Sequence, residues 1–97
     1  MTPVKRIEIV VAEHLLREVL ELIDRHGPSG YTVSRGLAGK GHRGVQSSDG
    51  IVAEFSNAAI LIACEDAVAK PMLDELRPLL VRFGGMCLVS EAQWLKH

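Results

Sequence analysis

Residues 36 to 50 read GLAGKGHRGVQSSDG, a run of glycine, serine and base with no apolar periodicity, in a chain otherwise thick with leucine, valine and isoleucine. Loops of this length without secondary structure are uncommon in small domains and are usually functional or disordered. Glycines leave backbone N–H groups free to converge into an anion-binding nest. Arg35, Lys40 and Arg43 add positive charge, and no carboxylate lies between Ser34 and Ser48 to neutralise them. The chemistry on offer is anion binding; the plainer alternative is a solvated hairpin tip.

More specific nucleotide motifs do not fit. Gly39-Lys40-Gly41-His42-Arg43-Gly44 spells G-x-G-x-x-G, but VQSSDG, which follows, does not start a helix that could face a pyrophosphate. Around Lys40 a P-loop fails twice, with Ser34 in place of the first glycine and Gly41 in place of Ser/Thr. Nothing assembles for catalysis either. His14, His26, His42 and His97 form no metal pair, and Cys64 and Cys87 lack a C-x-x-C partner. Ser47-Ser48 has no nucleophile-elbow glycines. Glu54 and Glu91 read as charges at a sheet edge. No catalytic residue, metal or catalytic cofactor is expected.

The elements that must hold this loop are legible. VKRIEIVVA (4–12) alternates as a strand, with Ile7, Ile9 and Val11 on one face and Lys5 at its edge. EHLLREVLELIDRH (13–26) carries Leu15, Leu16, Val19, Leu20, Leu22 and Ile23 at helical spacing. Glu13–Arg17 and Glu21–Arg25 are i,i+4 pairs, and Gly27-Pro28 stops the helix. GYTVS (30–34) is a short strand entering the loop. IVAEFSNAAILIAC (51–64) resumes strand character, and its second half, apolar on both faces, belongs in mid-sheet. In 67–83, Val68, Met72, Leu76, Leu79 and Phe83 form a helical seam. Pro71 and Pro78 fall on the outer face, so a bend, or a start near Pro71, is expected. Gly84-Gly85 end that helix, and MCLVSEAQWL is the last strand. The order β-α-β-loop-β-α-β, one domain over 1–97, predicts an α+β ferredoxin-like βαββαβ fold: a four-stranded antiparallel sheet with two helices on one face.

Composition sets limits. Of 97 residues, 47 % are hydrophobic, more than a chain this short can bury alone, so association with other subunits is expected. A net charge of −1 argues against a nucleic-acid binder. No apolar run approaches the roughly 20 residues that span a bilayer, so no membrane insertion is expected. The N-terminus lacks a signal-peptide pattern, and the two cysteines read as buried thiols in a reducing cytoplasm.

VKRIEIVVAEHLL, GPSGYTV, GKGHRGVQSS and FGGMCLV, in that order, resemble the PII signalling superfamily, nearest its PII-like branch that accompanies bicarbonate transporters or carboxysomes. GYTV followed by GKG-x-R carries the likeness. The resemblance implies a homotrimer binding adenine nucleotide between subunits. It also implies a T-loop, here about 36–50, that reports the ligand to a transporter or carboxysome-related partner. Gly30, Tyr31, Thr32 and Val33 would line base and ribose. Gly39, Lys40, Gly41 and Arg43 would meet the phosphates, with Lys40, Gly41 and Arg43 also available to bicarbonate. Gly84, Gly85 and Met86 would contact the base from the neighbouring subunit. Nitrogen-sensing relatives carry a lysine just beyond those glycines, where Met86 and Cys87 stand here, and arginines near the C-terminus that are missing here. AMP or ADP is therefore expected ahead of ATP or cAMP. His42 stands where relatives carry serine. The chain ends at Lys96-His97 without the cysteine-bearing tail of some relatives, so no redox switch is expected there. The other reading is an ACT-like ferredoxin-like module for an amino acid or a protein partner, which has no need of a long cationic loop.

Overall fold

The computed structural model describes residues 1–39 and 56–95. Strand β1 (Thr2–Ala12) leads through a 3-10 turn (Glu13–Leu15) into helix α1 (Leu16–His26). Strands β2 (Tyr31–Leu37) and β3 (Asn57–Cys64), helix α2 (Asp66–Phe83) and strand β4 (Met86–Trp94) follow. The sheet order is β2-β3-β1-β4, every neighbouring pair antiparallel. The expected βαββαβ ferredoxin-like arrangement is present. Its long inter-strand segment falls almost wholly outside the described residues, as does the front half of the strand expected from 51.

Alternation decides which face is covered. Ile7, Ile9 and Val11 of β1 and Ala58, Ile60 and Ile62 of β3 are buried. They form one core with Leu16, Val19, Leu22 and Ile23 of α1 and Ala69, Met72 and Leu76 of α2. At about 25 cal/mol per Å² of apolar surface, this cluster is the main source of stability. Both prolines lie inside α2, which starts at Asp66 rather than near Pro71. An interior proline costs about 3 kcal/mol where the carbonyl it frees is buried. Here Pro71 and Pro78, with Ala67 and Asp74 four residues before them, are all exposed, so the carbonyls they free lie on the solvent side of the helix. The expected seam departs from the sequence reading at its end. Phe83 is 40 % exposed, with the Arg82 guanidinium 5.1 Å from its ring centre.

The other face of the sheet has no described helix over it. Thr32, Leu61, Glu8 and Leu88 lie in one row across the four strands, and Ser34, Ala59, Val10 and Met86 in the next. Leu61, Met86 and Leu88 are 42, 46 and 54 % exposed. The apolar second side of β3 is thus in mid-sheet, as its composition implies, but open in the single chain. Both thiols are free, with Cys64 buried and Cys87 half-buried.

Candidate functional site

The predicted residues fall into two groups at opposite edges of the sheet. Gly30 immediately precedes β2; Tyr31, Thr32 and Val33 open it, and Gly39 follows it by two residues. Gly84, Gly85 and Met86 join α2 to β4, at the other edge. Three strand spacings of roughly 4.8 Å separate the edges, about 14 Å. Across the sheet Tyr31 is level with Val89 and Val33 with Cys87, whereas Gly84–Met86 and Gly39 lie toward the end where β1 finishes. One chain does not bring them together. Lys40, Gly41 and Arg43 lie outside the described residues.

On the β2 side, Thr32 shares the bare face with Leu61, whereas Tyr31 and Val33 align with Ile62 and Ile60 on the helix side. Burial, then the charge of Asp24, pushes the Tyr31 phenol above its ordinary pKa. Asn57 pairs with Leu37 and Ala12 where β3 begins. Its side-chain Oδ1 is buried without a hydrogen-bond partner among the described residues. A Cβ placed on Gly39 would sit 3.8 Å from the Asn57 Nδ2.

On the β4 side the glycines are required by the backbone. Gly84 donates its N–H to the Leu80 carbonyl (2.8 Å) and closes α2. Gly85 has φ +121°, and a Cβ there would meet the Val10 carbonyl oxygen at 2.8 Å.

The structure also shows a cluster that the sequence did not reveal. Oε2 of Glu13 accepts from the Gly36 N–H and from the Ser56 hydroxyl, each at 2.7 Å. Its Oε1 faces Nη2 and Nε of Arg35 at 3.3 and 3.4 Å. The Glu13 N–H donates to the Ser56 carbonyl (2.9 Å). The Ser56 hydroxyl, then the Gly36 N–H, then Arg35 hold the Glu13 carboxyl below the usual carboxylate range. Two expectations change. Glu13 pairs with Arg35 rather than with Arg17, and Arg35 is neutralised by a carboxylate from far upstream. Likewise Arg25 pairs with Glu75 of α2, not with Glu21. Local i,i+4 pairs are worth only about 0.2–0.5 kcal/mol, so tertiary partners displace them readily. Spacing alone carried no signal for Glu13, Ser56 or Asn57, because the contacts span β1, β2 and β3.

Among the described residues, no group of three His, Cys, Asp or Glu side chains could hold a metal ion, and no helix is long and apolar enough to cross a membrane.

A split βαββαβ sheet with a long connection from its edge strand β2 to β3 and one bare face defines a ferredoxin-like module. The chain belongs to the family of nitrogen regulatory protein P-II, whose pattern matches residues 4–97. No curated protein matches its sequence. Among solved structures, CPII, a nitrogen regulatory PII-like protein from Thiomonas intermedia K12, bound to ADP, AMP and bicarbonate, is 25 % identical with a TM-score of 0.82. That match covers 98 % of this chain and 96 % of CPII. CPII bound to ADP and bicarbonate is 27 % identical with a TM-score of 0.80, covering 95 % and 88 %. A PII-like signaling protein from Thermus thermophilus is 25 % identical with a TM-score of 0.72, covering 94 % and 88 %.

Proposed function

We propose that this chain is a PII-like regulator rather than an enzyme. In this reading it forms a homotrimer, binds AMP or ADP between subunits, and takes bicarbonate as a second ligand. The ligand state is reported through the T-loop to a bacterial cytoplasmic process of inorganic-carbon uptake or fixation, by way of a transporter or carboxysome-related protein. The observation that carries the reading is the P-II pattern over 4–97 joined to a relative bound to ADP, AMP and bicarbonate.

The split of the candidate residues supports an intersubunit cleft. Groups at opposite edges of one chain's sheet reach one base when the Gly84–Met86 edge of one copy meets the Gly30–Val33 edge of the next. The Asn57 acceptor, without a partner among the described residues, suits a ribose hydroxyl or an adenine amino donor. Gly39, Lys40, Gly41 and Arg43 would take the phosphates, glycine where backbone approaches and cations where charge must be met. CPII is also recorded with ADP, AMP and acetate, and acetate and bicarbonate share a flat carboxylate-like oxyanion.

Calorimetric titration with AMP, ADP, ATP, cAMP and a panel of amino acids tests this. AMP or ADP is expected to bind tightest. Arg43→Ala should weaken it on the order of ten- to a hundred-fold, the loss of one hydrogen bond to a charged group at about 1.5–3 kcal/mol. Binding of an amino acid and no nucleotide would instead mark an ACT-like module.

A further inference from the structure

We propose that Glu13 is a positioning residue for nucleotide binding, holding the end of β2 that leads to Gly39 against the start of β3 that carries Asn57. This rests on the adenine-nucleotide reading above. Three stretches of chain converge on the one carboxylate. Its own backbone lies just beyond β1, Arg35 and Gly36 lie near the end of β2, and Ser56 precedes β3.

The contact is built into an irregularity of the sheet. The β2–β3 register shifts between Ser34 and Leu37, and Gly36 sits inside that shift at φ +70°. A residue in a bulge is left without a ladder partner. The Gly36 N–H is therefore directed to Glu13 Oε2, which accepts from the Ser56 hydroxyl at the same distance. The Glu13 N–H closes the arrangement on the Ser56 carbonyl. Glu13 thus holds Gly36 and Ser56 against one anchor, with its side chain only 25 % exposed.

This has two consequences for an anion. Holding Gly39 and Asn57 in place beforehand removes part of the ordering cost that binding must otherwise meet. The pairing also removes Arg35 from the cations that would meet phosphate. Arg35 acts on the ligand through Glu13 and not by contact.

The test is a double-mutant cycle on ADP affinity with Glu13→Gln, Arg35→Gln and the pair, each titrated at low and high salt. Hydrogen exchange at the Gly36 amide is followed in parallel. Wild type should bind ADP. Glu13→Gln should weaken it by about tenfold and speed exchange at Gly36, while its fold, followed by circular dichroism, is kept. Arg35→Gln should weaken ADP by a similar or smaller factor, and the pair no further than Glu13→Gln alone, because both break one contact. The salt dependence in Arg35→Gln should match wild type. Ser56→Ala, which deletes one of the contacts, should weaken ADP several-fold and serves if Glu13→Gln does not fold. Wild-type ADP affinity in both Glu13→Gln and Ser56→Ala would overturn the positioning role and leave the nucleotide reading standing. Additive losses, or a reduced salt slope in Arg35→Gln, would make Arg35 a phosphate ligand and overturn it too. Absence of adenine-nucleotide binding by wild type would remove both readings.

Discussion

Gly85 and Val10 meet backbone to backbone: a Cβ on Gly85 would lie 2.8 Å from the Val10 carbonyl oxygen. The same Cβ would crowd Leu80 and Val11 at 3.0 Å, and φ at Gly85 is +121°. Gly85→Ala is therefore expected to destabilise the fold by about 1–3 kcal/mol through backbone strain alone. For a domain of this size each 1 kcal/mol lowers Tm by roughly 4–8 °C. Gly30 has open space around it, so Gly30→Ala should stay within about 0.5 kcal/mol of wild type. Thermal unfolding of the two variants checks the contrast; equal melting temperatures would contradict it.

The bare face predicts association. Leu61 and Leu88 flank Glu8 in one row, and Glu8 is paired with Arg6 at 2.9 Å, so the charge on this face is already matched. Light scattering on a sizing column should give about three times the 10.6 kDa chain mass. Leu88→Glu, which would set a second carboxylate directly opposite Glu8 in a covered apolar contact, should shift the mass to that of one chain. A wild-type monomer at micromolar concentration would remove the intersubunit site.

Glu75 of α2 receives His26 of α1 at Nε2 (2.7 Å), together with Arg25. The His26 hydrogen bond, then Arg25, hold the Glu75 carboxyl below its ordinary pKa. A depressed native value means that the contribution is complete above the unfolded carboxylate value, roughly 4.3. It is lost as pH falls through the lower native one. Wild type should exceed Glu75→Gln in urea midpoint at pH 7, and the gap should close as pH drops below about 4.3. A constant gap down to pH 3 would show that Glu75 does not tie α1 to α2 through its charge.

Bicarbonate and nucleotide should be coupled. A few hydrogen bonds to a small oxyanion barely offset its ordering, unless a nucleotide has already arranged the donors of Lys40, Gly41 and Arg43. Linkage then requires bicarbonate to tighten ADP by the factor by which ADP tightens bicarbonate. Titrating ADP with and without millimolar bicarbonate, at fixed pH and matched chloride, should show the shift. An unchanged ADP affinity would leave a nucleotide sensor without bicarbonate coupling.

What could be read from residue order was whatever repeats at short range. Period-two alternation in 4–12 and helical spacing in 13–26 set which side chains meet the core, and those side chains are buried, Leu20 only in part. Burial of a face is a property each segment carries along its own length, so Ile7, Ile9, Val19 and Ile23 declare themselves before any contact is known. The glycine-base stretch was legible for the same reason, as a break in that pattern. Tertiary structure decided the partners. Glu13 could pair with Arg17 by spacing, yet the bulge at Gly36 and the start of β3 bring a backbone N–H, a hydroxyl and a guanidinium to it at once, and three donors outweigh one exposed ion pair. Sheet order, set by packing rather than by sequence order, moved Gly30–Val33 and Gly84–Met86 to opposite edges. That separation leaves the candidate site incomplete in a single chain.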